Sequence, residues 1–203
     1  MQFLEKVKGL LLSPAATFRA VRDETLGNAF VYFLVLLVVF GVLLAAALAA
    51  LLVIFAKYFP QPLTAELPVG VSVAVLGGFM FAGMLIYALI VGIIGIFIMG
   101  LWLHLWVFAF GGRRGVSQTL KACMYAATPS LLFGWVPFVG IVFALWALAL
   151  QIIGIRELHE ISTGKAVAAV LVSIAVVVAF VVALIFLVLP WVLPPLMYPT
   201  CSV

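Results

Sequence analysis

The stretch Val69–Phe110, VGVSVAVLGGFMFAGMLIYALIVGIIGIFIMGLWLHLWVFAF, contains neither a charged residue nor a proline. A membrane-spanning helix needs roughly 20 mainly apolar residues, so this stretch is long enough for one extended crossing or two short ones. The choice decides on which side every later residue lies. Its glycines, among them Gly77, Gly78, Gly83, Gly92, Gly95 and Gly100, are tolerated inside membrane helices and do not by themselves divide it.

Outward from it lie three more apolar runs: Ala29–Ala56, Val116–Ile155 interrupted by Lys121, and Ala166–Trp191. With 68% hydrophobic and 8% charged residues, and a mean hydropathy of +1.46, the chain carries more apolar surface than a soluble domain of its size can bury. The run after Lys121 does have a break. Gly134-Trp135-Val136-Pro137-Phe138-Val139-Gly140 reads as a Gly/Pro turn between two short spans.

Charge chooses between the two counts, because Lys and Arg concentrate in cytoplasmic loops. Taking Val69–Phe110 as one crossing places Lys6, Lys8, Arg19, Arg22, Arg113, Arg114, Lys121, Arg156 and Lys165 inside and only Lys57 outside. Splitting it strands several of these on the wrong face. The expectation is therefore an all-α, polytopic five-helix bundle forming a single domain over residues 1–203, with spans at about 29–56, 71–110, 117–134, 137–155 and 166–190. The N-terminus lies in the cytoplasm and the outer tail, 191–203, outside.

Residues 1–27 read as interfacial helices. Leu10-Leu11-Leu12 is too short for the apolar core of a signal peptide and is closed by Ser13-Pro14. Phe3, Val7, Leu10 and Leu11 share a helical face opposite Glu5, Lys6 and Lys8, the pattern of a helix lying in the membrane interface. Ser13 and Pro14 suit the cap and first turn of a second helix bearing Phe18, Arg19, Val21 and Arg22. A topological anchor and a partner-docking site are both open readings. The segment Lys57–Pro68, with Pro60, Pro62 and Pro68, reads as an extended outer loop whose only acid is Glu66. In the outer tail, Trp191 and Tyr198 favour the headgroup region.

Residues for enzymatic chemistry are missing from the pattern, and no enzyme, metal or cofactor is expected. His104 and His159 lack the spacing of a metalloprotease pair, none of the six acids lies in a predicted span, and Ser130 and Ser173 have no histidine at their depth. Cys123 near the inner face and Cys201 in the outer tail are too far apart for a disulfide. Small residues recur at helical spacing in Ala88, Gly92 and Gly95, in Gly140, Ala144, Ala147, Gln151 and Gly154, and in Ala175, Ala179 and Ala183. Such faces suit close helix packing or homo-oligomer contacts.

The remaining polar features gather towards the inner side. His104, between Trp102 and Trp106, and Gln151, about a turn before Arg156, are candidates for a polar cleft. Pro129 deprives the Tyr125 carbonyl of its helical donor, so the third span should bend there, with the carbonyl satisfied by Thr128, a neighbouring helix or water. Arg156 and Glu160 are spaced to pair along a helix, and Glu157 can reach across to Arg113 or Arg114.

Ser13-Pro14-Ala15-Ala16-Thr17-Phe18-Arg19, then Gly111-Gly112 with Gln118 and Tyr125-x-x-x-Pro129, and finally the loop Gly154–Ala166, GIRELHEISTGKA, resemble the Yip family of Ypt/Rab-interacting membrane proteins, in particular its prokaryotic branch. The resemblance implies five spans, a cytosolic N-terminus and a lumenal or external C-terminus. Eukaryotic relatives bind prenylated small GTPases and take part in vesicle transport and organelle shape. This chain has Met124 where the eukaryotic pattern has a glycine before the tyrosine, and no Asp-Leu-Tyr-Gly-Pro-like segment. Tyr125 and Pro129 are carried over as motif positions, and GTPase binding is not.

Two functions from different classes follow as expectations. One is a non-enzymatic scaffold or adaptor of the cell membrane whose inner face, Arg19, Arg22, Arg113, Arg114, Arg156, Glu157, His159 and Glu160, engages a protein partner or anionic lipid. The other is a small transporter, channel or lipid-moving protein using His104, Gln151, Tyr125 and Pro129. Membrane lipids are partners in both, and nucleic acid in neither.

Overall fold

A computed structural model describes residues 2–58 and 73–192. All regular structure among these residues is helical: α1 (Phe3–Leu12), α2 (Pro14–Ala20), α3 (Leu26–Tyr58), α4 (Val73–Ala109), α5 (Val116–Ala126), α6 (Thr128–Phe133), α7 (Val139–His159) and α8 (Thr163–Val192). The expected outer loop with Pro60, Pro62, Glu66 and Pro68 lies outside the described residues, as do Tyr198 and Cys201 of the tail.

α3 and α4 are apolar around their whole circumference. Helical backbone satisfies its own hydrogen bonds, the condition for entering lipid. They run antiparallel, with Phe30 against Phe97, Leu37 against Gly92 and Leu85 against Gly41. The Val69–Phe110 run, where described, is a single helix. At 1.5 Å per residue α3 and α4 reach about 50 and 55 Å, beyond the roughly 30 Å hydrocarbon core of a bilayer.

Among the described residues four helices are long and apolar enough to cross a membrane: Leu26–Phe55, Val75–Ala109, Val139–His159 and Thr163–Leu189. The expected third span is instead two short helices meeting at Ala127. Its composition differs from the others for a physical reason: every residue from Thr119 to Ala126 is buried by protein. A segment wrapped by other helices can carry Thr119, Lys121 and Thr128 at the cost of forming their hydrogen bonds internally.

The well-packed core occupies one end of the bundle. Leu10, Phe18, Val21, Tyr32, Leu103, Val107, Met124, Tyr125, Ile155, Leu158 and Val170 are all buried there. α1 and α2 therefore do not simply lie in the membrane interface. Phe18 is fully buried, packed edge-on against Tyr125 and against Gly154, where an added Cβ would approach its ring to 2.8 Å. Lys6, expected on the polar face of α1, is buried, while Leu4 and Leu12 are exposed. Pairing with Glu24, between α2 and α3, has overridden the amphipathic pattern at Lys6.

At the far end the packing thins. α8 buries Ala166, Ala169, Val170 and Ser173, but Ala175, Ala179 and Ala183 remain exposed. The stripe on α7 contributes through Gly154, and that on α4 through Gly92.

Candidate functional site

The charged residues converge where the packing is tightest, in two adjoining groups. The first centres on Glu24, between α2 and α3. Its carboxylate accepts hydrogen bonds from the Lys6 ammonium at 2.6 Å and the Tyr125 hydroxyl at 2.7 Å. The Lys121 ammonium donates to the carbonyls of Arg22, at 2.5 Å, and Glu24, at 2.9 Å. Burial pushes the Glu24 carboxyl upward, but the bonds from Lys6 and Tyr125 and the Lys6 charge outweigh it and hold the group below its ordinary value.

Below this group a polar thread continues into the bundle. Pro129 lacks the N–H that the Tyr125 carbonyl would accept in a continuous helix. The Thr128 hydroxyl replaces it, donating to that carbonyl at 2.6 Å. The Tyr32 hydroxyl stands 2.9 Å from the same Thr128 oxygen. Of the three expected ways to satisfy the freed carbonyl, the chain uses its own Thr128. The bend expected at Pro129 is the break at Ala127 between α5 and α6.

The second group ties α2 to the C-terminal end of α7. Arg19 bonds the Glu157 carboxylate at 3.3 Å. Arg22 pairs with Glu160 and donates to the Glu157 carbonyl at 2.6 Å. Arg156 meets Glu157 at 2.5 Å, and Arg114 pairs with Glu160. Two expected pairings are thereby replaced. Arg156 turns to its neighbour Glu157 rather than to Glu160, and Glu157 meets α2 rather than Arg113 or Arg114. Glu160 adopts a left-handed φ of 55° at the helix end, which carries its side chain off the α7 face where Arg156 lies.

Arg113 stands apart from this network, over the Phe108 ring at 3.9 Å from its centroid. The loop carrying it, Phe110–Gly115, turns at Gly111 and Gly115, whose φ values of 98° and 89° suit glycine and few other residues. Lys165 at the start of α8 lies beside Gly111, its ammonium 3.7 Å from where a Cβ would stand.

His104 and Gln151, the expected cleft residues, have separate partners. His104 Nδ1 lies 2.8 Å from the Thr119 hydroxyl, which is 2.9 Å from His159 Nε2, so the two histidines are joined through one threonine. His159 is buried rather than part of an exposed face, and its Nδ1 has no hydrogen-bond partner among the described residues. Gln151 donates to Cys123 Sγ at 3.5 Å. It lines a lateral cavity of about 330 Å³ that also involves Cys123, Ala127, Ser130 and Ala144. No cluster of three or more His, Cys, Asp or Glu that could hold a metal occurs among the described residues.

A family model, the Yip1 domain, matches residues 8–187, from the middle of α1 to deep in α8. The chain belongs to the Yip1 domain family. No curated protein and no solved structure matches it. In this Yip1 domain the Tyr125 hydroxyl bonds Glu24 ahead of α3, and Pro129 leaves the Tyr125 carbonyl to Thr128. The Yip1 domain is an integral membrane protein with four long apolar helices among its described residues.

Sequence reasoning did not single out Lys6, Glu24, Thr119 or Tyr32. A signal existed for the Glu24 group. Lys121 interrupts an apolar run, and an intramembrane charge requires a partner; Asp23-Glu24, directly before the first span, was the nearest acidic candidate on the same side.

Proposed function

We propose that this Yip1 domain is a non-enzymatic membrane scaffold of the family's prokaryotic branch, with its charged end in the cytoplasm and its C-terminus outside. In this reading α5 and α6 together make a third crossing, between those of α4 and α7. The charged end engages a protein partner or anionic lipid. The observation that carries this reading is the tying of α1 to the α2–α3 link, of that link to α5, and of α2 and the link to the end of α7 by ion pairs and hydrogen bonds, which presents a preassembled charged platform rather than an open channel mouth. Family membership supports it, since Yip1 proteins are not known as enzymes.

The transport reading has one observation in its favour, the lateral cavity at Gln151. The two readings separate in sealed liposomes containing the purified full chain, assayed for solute flux and for movement of fluorescent lipid between leaflets. Silence in both, with photo-cross-links formed from a probe at Arg19 and none from one at Phe138, is expected of the scaffold. Flux or lipid movement abolished by Gln151→Ala would replace it with transport.

A further inference from the structure

The formal charge of +4 is not spread over the chain. Counted along the sequence, Lys6, Lys8 and Lys121 are balanced in number by Glu5, Asp23 and Glu24, and Lys57 by Glu66. The surplus then falls on the second group together with the Gly111–Gly115 turn joined to it by Arg114, where Arg19, Arg22, Arg113, Arg114, Arg156 and Lys165 stand with only Glu157 and Glu160. Those two carboxylates are shared among Arg19, Arg156, Arg22 and Arg114. Arg113 and Lys165 have no ion-pair partner among the described residues.

Position adds a chemical constraint. Phe108 is half exposed on the outward face of α4, an apolar helix, and the Arg113 guanidinium rests on its ring. Such stacking keeps a cation at the boundary between hydrocarbon and headgroups while its donors stay free. Lys165, whose ammonium lies beside Gly111, and the exposed Arg114, paired with Glu160, stand on the same Gly111–Gly115 turn and extend this cation into a ridge. Arginine forks and a lysine point charge at this depth match a phosphodiester.

We infer that the ridge of Arg113, Arg114 and Lys165 seats the phosphate of an anionic phospholipid; this deepens the scaffold reading and rests on the charged end lying at a membrane surface. The phospholipid is held by excess charge, while Arg22, Glu157 and Glu160 keep the ridge in place.

The test uses the full chain in nanodiscs of phosphatidylcholine with phosphatidylglycerol, followed by native mass spectrometry of the lipids retained. Wild type is expected to retain phosphatidylglycerol preferentially, and Arg113→Gln or Lys165→Gln to lower that preference by about five-fold each, the effect of one cation near an anionic surface. Neither residue holds an ion pair, so both variants should fold. Lys8→Gln, in the balanced group, should leave the preference unchanged.

Equal retention of both lipids by wild type overturns the inference, as does a preference that survives both substitutions. Complete displacement of lipid by inorganic phosphate would assign the seat to a free anion and also overturn it. Cross-links from the ridge to a soluble protein, without lipid preference, would overturn the lipid and leave the scaffold standing. Flux dependent on Gln151 would remove the scaffold, whereas a lipid preference lost in Arg113→Gln would still support the seat.

Discussion

Gly154 and Glu24 each show how one residue holds the N-terminal segment in place. At Gly154 an added Cβ would meet Phe18 at 2.8 and 2.9 Å on one side and Ala122 at 3.2 Å on the other, with Phe18 already fully buried. Gly154→Ala is therefore expected to cost about 1–3 kcal/mol, the range for overpacking a filled core, and to loosen α2 first. Limited proteolysis should show faster cleavage within residues 1–25, and an unchanged rate would count against Phe18 as the anchor. Glu24 gives the same contact a pH dependence. A carboxyl held below its ordinary 4.5 stabilises the folded state fully above that value, and this contribution is lost as pH falls through the folded value. Proteolytic exposure of α1 should thus rise below about pH 4.5 in wild type. Glu24→Gln should be more exposed at neutral pH and lose most of that acid dependence; a variant that kept the wild-type profile would sink the assignment. The sequence revealed Phe18 as apolar and Glu24 as charged. Burial of Lys6 could not be read from the α1 pattern, because its partner comes from beyond α2.

At the scale of elements, the break between α5 and α6 was legible and its surroundings were not. Pro129 marks the position by chemistry alone, since proline removes a helical donor whatever its neighbours. Pro129→Ala restores an N–H for the Tyr125 carbonyl and is expected to join α5 and α6 into a straighter helix, altering packing more than membrane insertion. Spin-label distances between residues 117 and 133 should lengthen, and unchanged distances would refute the assignment. Thr128→Val, by contrast, leaves the Tyr125 carbonyl without its donor and Tyr32 without its partner. A loss of about 1–3 kcal/mol in stability is expected from such buried polar groups, read by thermal unfolding in detergent, and a neutral result would mean that other donors satisfy them. The ion pairs of the α7–α8 turn were legible as to residue type but not as to pairing. Side-chain spacing favours Arg156 with Glu160, yet the left-handed backbone at Glu160 and the arrival of α2 redirect both.

Across the whole molecule, the arrangement of crossings is the point most open to direct measurement. With Cys201→Ser as background, Lys8→Cys and Phe138→Cys should react with a membrane-impermeant thiol reagent from opposite sides of sealed vesicles. Reaction of both from the same side would remove the crossing by α5 and α6. Sequence alone determined that the chain is helical, that it belongs in a membrane, and that its polar groups collect towards one side, because hydropathy, run length and charge asymmetry act on each segment independently of its neighbours. Only the tertiary structure decided that the least apolar segment is the central one, that α1 and α2 complete the core, and which carboxylate meets which cation. Those outcomes depend on burial, and burial is set by elements distant in the chain: Thr119 and Lys121 are tolerated within α5 because His159, Arg22 and Glu24 arrive from elsewhere to bond them.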